Sequence, residues 1–339
     1  MGAPPDINRR NIVVIGASAG GIDALKRLFS RLPPTSSASF FVVQHMASHY
    51  PSELDRILQK VTPMRVAFAR DRQPILPDTI YLAPPDRHLV IDGEVVRVTR
   101  GPKECRARPA VDVLFRSAAL AFGPRVIGVV LTGALDDGTA GLWQIKERQG
   151  LALVQDPEQA EHASMPSSAI EHVDVDFIGG IDTLAQEIVR QVAGAPPLPP
   201  AATPDRGLLV ENLIAMEGNG MQAGVMNLGK VSKYTCPECH GVLVQIEEGR
   251  IVRFRCHTGH AYSPQSLSVE VNSAIDESLW NTLRAIEERI LLLRQRADLA
   301  DAAGHGDEAQ RLRAKAEVAE EKCQPLRELV LDADFFAAD

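Results

Sequence analysis

Short apolar runs alternate with amphipathic stretches from the start of the chain as far as Val192. Apolar runs of about 4 to 8 residues between turn residues are typical of buried strands, and apolar positions spaced by three and four are typical of helices. Strands are predicted at Asn11–Ile15, Ser39–Gln44, Arg65–Phe68, Thr79–Leu82, Leu89–Ile91, Val95–Thr99, Arg125–Leu131 and Leu151–Gln155. Helices are predicted at Gly20–Leu32, Pro51–Val61, Val111–Phe122, Thr139–Gln149, Pro166–His172 and Ile181–Val192. The alternation predicts an α/β fold with a doubly wound, mostly parallel sheet that carries helices on both faces.

The first strand runs into a glycine-rich turn with a serine at its centre. The run Gly16-Ala17-Ser18-Ala19-Gly20 fits the G-x-S-x-G nucleophile elbow, in which small residues allow a sharp turn between strand and helix. The pattern Gly16-x-Ser18-x-x-Gly21 also resembles a degenerate dinucleotide-binding loop with serine in place of the middle glycine. Such a loop needs an acidic residue after the second strand to bind the ribose, but the chain has Gln44-His45-Met46 there. The pattern therefore favours a serine nucleophile.

Two further strands end in groups that would complete such a site. His45 follows the second strand and is a candidate general base, because imidazole titrates near neutral pH. Asp136 and Asp137 follow the strand Arg125–Leu131 and are candidates for the acid that orients the base. Taken singly, Ser18 is equally well explained as a helix cap, His45 as a strand-end histidine and the aspartates as turn residues. Because all three groups follow carboxyl ends of strands, where ligands bind in open α/β sheets, together they predict a Ser-His-Asp site.

At these positions the chain resembles the catalytic domain of the CheB family, the chemotaxis protein-glutamate methylesterases. The family's serine lies in a G-A-S-x-G-G turn, matched by Gly16–Gly21, and its histidine lies in a Q-H-M run, matched by Gln44–Met46. Its aspartate lies in an L-T-G-x-x-x-D-G run, matched by Leu131–Gly138. Further segments that match in order and spacing are Tyr81–Pro84, Arg108–Phe115 and Met165-Pro166, within a resemblance that extends from about Arg10 to Val192.

The resemblance implies a serine carboxylic-ester hydrolase that removes γ-methyl esters from glutamates of helical receptor proteins and releases methanol. It implies Ser18 as nucleophile, His45 as general base and, by register, Asp137 as the acid. It also implies that backbone amides of Ala19 and Ala134 stabilise the oxyanion, with no cofactor for catalysis. Ala134 stands where the family usually has methionine. We expect activity to survive this change, because a backbone donor does not depend on its side chain.

The resemblance also bears on substrate binding and regulation. It places Arg106 and Arg108 at the border of the site as candidates for binding acidic groups beside the ester, although a solvated basic loop explains them equally well. Family members commonly carry an amino-terminal receiver domain whose phosphorylation uncovers the site. Because the catalytic strand is predicted from Asn11, we expect no such switch within this chain. The alternative functions are a catalytically silent signalling adaptor and a protein-glutamine deamidase that uses the same acyl chemistry.

The composition changes at Ala193–Gly207, where prolines and small residues favour an extended spacer. Beyond this spacer, the pair Cys236 and Cys239 has C-x-x-C spacing, and Cys256-His257-Thr258-Gly259-His260 supplies a second group of metal-binding side chains. The two groups flank a predicted hairpin formed by Val242–Ile246 and Ile251–Arg255.

Two pairs of ligands on either side of a hairpin are typical of a zinc ribbon. The favoured ligand set is Cys236, Cys239, Cys256 and His260, with His257 and His240 as alternatives for the fourth ligand. A thioredoxin-like redox pair is disfavoured, because no strand-to-helix unit follows the C-x-x-C motif. Four protein ligands leave no open position, so the zinc is predicted to be structural.

The carboxyl-terminal part of the chain has heptad spacing on two segments. The apolar positions are Leu279, Leu283, Ile286, Ile290, Leu293 and Ala297 on the first segment, and Leu312, Ala316, Ala319, Cys323, Leu326 and Val330 on the second. The simplest interpretation is a helical hairpin whose two seams face each other, with Cys323 as a small core residue. Self-association or partner docking through these helices is an equally good interpretation.

Composition excludes several classes of protein. A net charge of −8 disfavours a nucleic-acid partner, and no apolar run is long enough to insert into a membrane. The first residues lack the apolar core of a signal peptide, and five cysteines do not suggest a disulfide framework, so a cytoplasmic protein is expected. The methylated partner is expected to be a receptor or another signalling protein.

The predicted domains are a methylesterase domain at residues 1–193, a linker and connecting segment at 194–233, the zinc-ribbon module at 234–263 and a helical region at 264–339.

Overall fold

The computed structural model describes residues 9–46, 52–194, 198–332 and 335. The chain divides into two compact units, residues 1–266 and residues 267–339. The strands are β1 (Ile12–Ala17), β2 (Ser39–Gln44), β3 (Arg65–Phe68), β4 (Gln73–Pro74), β5 (Thr79–Leu82), β6 (His88–Asp92), β7 (Val95–Thr99), β8 (Val126–Val130), β9 (Leu151–Gln155), β10 (Phe177–Gly179), β11 (Lys230–Thr235), β12 (Val242–Glu248), β13 (Ile251–Cys256) and β14 (Ala261–Tyr262). The helices are α1 (Gly21–Arg31), α2 (Leu54–Gln59), α3 (Val111–Phe122), α4 (Thr139–Glu147), α5 (Ser164–His172), α6 (Ile181–Ala193), α7 (Arg206–Glu217), α8 (Gly220–Ala223), α9 (Pro264–Ala302) and α10 (Gly306–Val330).

A seven-stranded sheet forms the centre of the first unit, in the order β10-β9-β8-β1-β2-β5-β3. Each neighbouring pair in this sheet is parallel. The prediction of an α/β fold with a mostly parallel sheet is therefore confirmed. β1 lies between β2 and β8, so the chain winds outward in both directions from it, and ligands bind at such a switch point in open sheets.

Helices cover both faces of this sheet, which explains why its strands are continuous apolar runs. Val13 and Ile15 of β1 enter a core shared with α1, α2 and α6. Ile12 and Val14 point to the opposite face and enter a core shared with α3, α4 and α5. Because successive strand residues alternate between two buried faces, no position in β1 can be polar without burying an unpaired group.

Most predicted elements of this unit lie within a few residues of the observed ones. The predicted helix Pro51–Val61 corresponds to α2, and Pro51 itself lies outside the described residues. The predicted hairpin turns at Gly93, whose φ of 58° suits glycine. β4 and β10 were not predicted, because strands of two and three residues are too short to show a pattern.

The connecting segment that follows the proline-rich residues contains helices that the sequence did not predict. It contains α7, α8 and the first part of β11. Ala215 of α7 packs with Val90, Ala110 and Val113, and its carbonyl accepts a hydrogen bond from the Thr99 hydroxyl at 2.7 Å. The helix α7 and the cysteine-containing sheet both belong to the first compact unit. The predicted domain boundaries stay a prediction.

The cysteine-containing sheet is antiparallel, in the order β11-β12-β13-β14. Its central hairpin is longer by one or two residues per strand than the predicted one. We call residues 230–262 the ribbon.

The second unit consists of α10 and most of α9. All twelve predicted seam residues belong to two apolar clusters that the helices form, and Cys323 is buried in one of them. Self-association through these helices stays a prediction.

Among the described residues, no helix is both long enough and apolar enough to cross a membrane.

Candidate functional site

Three side chains meet at the carboxyl ends of the adjacent strands β1, β2 and β8. The Ser18 Oγ lies 3.1 Å from the Nδ1 of His45. The Nε2 of His45 lies 2.8 Å from an oxygen of Asp137. Both distances are within the range of hydrogen bonds, so the three residues form a connected serine-histidine-aspartate chain.

The two ring nitrogens of His45 determine how a proton can move along this chain. Asp137 can only accept a hydrogen bond when ionised, so the neutral imidazole carries its proton on Nε2 and presents the Nδ1 lone pair to Ser18. In the serine-protease arrangement the two nitrogens have the opposite assignments. The chemistry is equivalent, because either nitrogen accepts a proton when the other faces a carboxylate.

Asp137 is held rigidly and is only 2% exposed. Its two oxygens accept hydrogen bonds from the backbone amides of Val111 and Asp112 at 2.7 and 3.0 Å. These amides lie at the amino terminus of α3, whose dipole favours an anion. Asp136 instead lines a separate cavity of about 220 Å³ beside Ser168. The structure therefore brings Asp137, and not its neighbour, to the histidine.

The turn that presents Ser18 depends on two glycines. Gly20 has a φ of 73°, a left-handed conformation that disfavours other residues, and it precedes α1. Gly133 packs so closely that a Cβ there would overlap the sulfur of Met165 and approach the Cβ of Ser18 to 2.8 Å. A larger residue at 133 would therefore displace the serine.

Three polar residues that sequence reasoning did not select fix the strand-end loops to one another. The carbonyl of Thr132 accepts a hydrogen bond from the Ser18 amide at 3.0 Å. The Gln44 side-chain amide donates to the Ser18 carbonyl at 2.7 Å, and the Gln155 side chain accepts from the Thr132 amide at 2.8 Å. Gln44 and Thr132 lie inside the motifs that carried the family resemblance, so their position beside the triad was the signal that could have identified them.

Ser18 opens into a cleft of about 370 Å³. Its lining residues are Ser18, His45, Met46, Asp86, Lys103, Cys105, Arg106, Ala107, Arg108, Pro109, Ala134, Leu135 and Asp137. Ala134 thus borders the cleft, whereas Ala19 lies directly after Ser18 in the turn before α1. Lys103 is a cation of the cleft that the sequence did not single out.

The two predicted arginines lie in the cleft wall but differ in their surroundings. Arg108 donates to one oxygen of Asp86 at 2.9 and 2.6 Å, and to the carbonyl of Gly101 at 2.9 Å. Its guanidinium therefore holds the loop in place. Arg106 lines the same cleft and has a left-handed backbone, with φ of 67°.

Asp112 is a buried carboxyl close to the triad. Burial, reinforced by the nearby charge of Asp137, raises the pKa of Asp112 to about 7. The charges of Arg116 and Arg253 and a hydrogen bond from the Gly141 amide oppose this rise in pKa. One oxygen of Asp112 accepts hydrogen bonds from the backbone amides of both Gly138 and Gly141.

The four predicted metal ligands form a compact cluster in the ribbon. The candidate ligand atoms of Cys236, Cys239, Cys256 and His260 all lie within 4.8 Å of one another. The sulfurs of Cys239 and Cys256 are 3.6 Å apart, and the His260 Nδ1 lies 3.7 and 3.6 Å from the sulfurs of Cys236 and Cys256. Tetrahedral zinc with Zn–S bonds of about 2.3 Å would separate its ligand atoms by about 3.8 Å, so the donor set fits this ion.

The alternative histidines differ from His260 in their surroundings. His240 and His257 are exposed, and neither belongs to a metal-compatible cluster within the part of the chain that the structure describes. His260 directs its other ring nitrogen to Glu238, 3.5 Å away. Such a partner for the second nitrogen is common among metal-binding histidines.

The sequence model of the CheB methylesterase family matches residues 13–188, which is just over half of the chain. The chain belongs to this family. It is therefore a methylesterase, a hydrolase that acts on carboxylic esters. The match contains all of β1 except Ile12, the strands β2 to β10, and all three members of the serine-histidine-aspartate chain.

Similar proteins agree with this family. A Leptospira interrogans protein named putative protein-glutamate methylesterase/protein-glutamine glutaminase is 40% identical over 179 residues, which cover 52% of this chain and 93% of that protein. A Methanosarcina mazei protein named protein-glutamate methylesterase/protein-glutamine glutaminase 2 is 36% identical over 191 residues, 54% of this chain and 52% of the relative. The crystal structure of the Thermotoga maritima CheB methylesterase catalytic domain matches with a TM-score of 0.52 and 30% identity, and the match covers 53% of this chain and 97% of that one.

Proposed function

We propose that this CheB-family methylesterase hydrolyses glutamyl γ-methyl esters on chemoreceptor-like proteins, with Ser18, His45 and Asp137 as its catalytic residues. The observation that carries the assignment is the unbroken path from the Ser18 Oγ through both ring nitrogens of His45 to Asp137, inside an open cleft. Glutamate is the modified residue in the names of the relatives.

The proposed reaction has two steps. Ser18 attacks the ester carbonyl while His45 takes the serine proton on Nδ1, and collapse of the tetrahedral intermediate releases methanol with that proton. Water then attacks the glutamyl-serine ester, again with His45 as base, and restores the free serine and a glutamate carboxylate. Asp137 holds the imidazole tautomer and stabilises the imidazolium in both steps.

The oxyanion is proposed to accept hydrogen bonds from the backbone amides of Ala19 and Ala134. Preorganised donors of this kind are commonly worth about 10²- to 10³-fold in rate. For the substrate, we propose that Lys103 and Arg106 attract acidic groups beside the ester. Arg108 contributes to binding by fixing the loop, since its guanidinium is occupied by Asp86.

Glutamine deamidation is the second candidate activity, because the names of the relatives join glutaminase to methylesterase. The same acyl-serine would form from a glutamine side chain, with ammonia as the leaving group in place of methanol. A catalytically silent adaptor is disfavoured by the intact hydrogen-bonded chain of the three residues.

We also propose that the cluster of Cys236, Cys239, Cys256 and His260 binds one structural zinc ion. The spacing of the ligand atoms supports this assignment, and a sheet of four short strands has little core of its own to stabilise it. The ion would supply folding free energy and take no part in hydrolysis.

Methanol release from a methylated chemoreceptor fragment tests the proposed activity. We expect wild-type protein to release methanol and Ser18→Ala to release none above background, while its circular dichroism is unchanged. Ammonia release from the unmodified glutamine-containing fragment measures the second activity in the same samples. Methanol release by folded Ser18→Ala at the wild-type rate would disprove the serine mechanism.

A further inference from the structure

One edge of the ribbon pairs with the loop that lines the catalytic cleft. We call residues 101–109 the cleft loop. The Cys105 amide donates to the carbonyl of Ala261 on β14 at 2.8 Å, and the Ala261 amide donates to the Lys103 carbonyl at 3.2 Å. The backbone on either side of Glu104 is therefore fixed by a strand of the ribbon.

A buried ion pair makes the same connection through side chains. The guanidinium of Arg255 on β13 lies 2.9 Å from a carboxylate oxygen of Glu104, and both side chains are at most 3% exposed. Arg255 also donates to the carbonyl of Gly259 at 2.7 Å, within the turn that carries the ligand His260. The other partner of Glu104 is Arg116 on α3. Loss of one charge from such a buried group leaves the remaining charges without a partner, so Arg255 is strongly coupled to the loop.

A third contact reaches the rim of the cleft. Lys103 lines the cleft and lies 3.5 Å from the carboxylate of Glu238. Glu238 stands between the ligands Cys236 and Cys239 in the sequence, and its carboxylate also faces His260. This cleft cation therefore faces the segment that carries two ligands of the cysteine cluster.

The catalytic side chains themselves are supported differently. Ser18, His45 and Asp137 follow strands of the central sheet, and the ribbon strands do not pair with that sheet in the described part of the chain. Disorder in the ribbon would thus release one wall of the cleft, while the strands that carry the reacting groups stay paired in the central sheet.

We propose that Arg255 and Ala261 are positioning residues for the cleft loop, so that occupancy of the cysteine cluster by zinc sets the affinity for protein substrate. The inference rests on the proposed methylesterase reaction and on the proposed zinc site. It adds that the metal-dependent ribbon forms part of the substrate-binding wall, and that loss of zinc raises KM far more than it lowers kcat.

Hydrogen exchange and steady-state kinetics on the full chain test this proposal together. Wild-type protein is compared before and after zinc removal by a chelator, and with Cys236→Ser. Cys323→Ser serves as the matched control, because it removes a buried cysteine of the helical unit that is not part of the cluster. Metal content is measured for every sample.

After zinc loss we expect the Cys105 amide to exchange at least about tenfold faster, whereas the hairpin of β6 and β7 keeps its protection. KM for a methylated receptor fragment should rise by about tenfold or more with kcat within about threefold, because only substrate binding is weakened. Cys323→Ser should keep its zinc, its exchange pattern and its KM.

Arg255→Lys keeps the charge and leaves all four ligands in place, so it separates loop positioning from metal loss. We expect this variant to retain one zinc ion and to raise KM with little change in kcat. If Cys236→Ser unfolds the whole unit, Arg255→Lys and the chelated wild-type protein still decide the question. Unchanged Cys105 exchange and unchanged KM in zinc-free protein, or a normal KM in zinc-loaded Arg255→Lys, would overturn the proposal. Absence of methanol release in wild-type protein would instead contradict the proposed reaction, and absence of zinc in it would contradict the metal site.

Discussion

Glu211 of α7 accepts a hydrogen bond from Arg253 of β13 on each of its two carboxylate oxygens, at 3.0 and 2.9 Å. Neither side chain is more than 5% exposed. Burial opposes ionisation of Glu211, but the guanidinium groups of Arg116, Arg253 and Arg255 outweigh it and hold the pKa of this carboxyl well below its usual range. One carboxylate thus links the connecting helix, the ribbon and α3.

Neutralising this carboxylate should destabilise the first unit strongly. We expect Glu211→Gln to lower the free energy of unfolding by about 3–5 kcal/mol, because it leaves buried guanidinium groups without their partner. Urea denaturation monitored by circular dichroism measures the loss. Glu53→Gln removes the carboxylate from an exposed pair with Arg56 and should cost about 1 kcal/mol or less. Equal losses in the two variants would contradict the importance of the buried cluster.

The two adjacent aspartates after β8 should differ sharply in their effect on catalysis. Asp137→Asn keeps the shape of the side chain but replaces the carboxylate that orients His45, and by analogy with other triads we expect kcat to fall by about 10⁴-fold. Asp136→Asn should stay within about tenfold of wild type, since its side chain faces another cavity. Methanol release by both purified variants measures the difference. A larger loss in Asp136→Asn would mean that the register of this motif is wrong.

The α/β fold could be predicted because its central strands are buried on both faces and helices such as α1 and α6 are strongly amphipathic. Those properties are local, and they appear in β1 as a continuous apolar run. The proximity of Ser18, His45 and Asp137 could be predicted for a related reason. Parallel strands place all their carboxyl ends at one edge, so three polar strand ends converge without any knowledge of loop geometry.

The connection between the ribbon and the α/β core could not be predicted from the same patterns. Glu104, Glu211 and Arg255 are charged residues, which are normally solvated. Their burial is stable only because oppositely charged partners from distant segments offset the cost of removing them from water. The sequence pattern of helix α7 was also weak, because Ala215 and Val90 form an apolar cluster only after α7 and β6 pack together. Long-range charge pairing of this kind leaves no periodic trace in one sequence.

The identity of the fourth zinc ligand can be decided by two histidine variants. We expect wild-type protein to bind one equivalent of zinc, His260→Ala to bind it much more weakly, and His257→Ala to keep it, because only His260 lies within the ligand cluster. Competition with a chromogenic chelator gives the relative affinities. Weakened binding in His257→Ala together with normal binding in His260→Ala would assign the fourth ligand to His257 instead.

Asp112 should make the protein less stable as the pH rises through neutrality. Its pKa is raised from an ordinary value of 3.8 to about 7 in the folded protein, by burial first and by the charge of Asp137 second. Between these two values the folded state binds more protons than the unfolded state, so the free energy of unfolding falls as pH rises. This destabilisation is absent below the pKa of Asp112 in the unfolded state and complete above its pKa in the folded state.

Asparagine at position 112 imitates the protonated acid and cannot ionise. Its side-chain oxygen can still accept the hydrogen bonds from Gly138 and Gly141, since both amides donate to the same oxygen of Asp112. We therefore expect Asp112→Asn to gain at least about 1 kcal/mol relative to wild type between pH 5 and pH 8, where each pKa unit corresponds to about 1.4 kcal/mol. Urea denaturation at the two pH values measures the change, with the exposed Asp174→Asn as control. A stability difference between Asp112→Asn and wild type that stays constant over this range would show that Asp112 does not titrate there.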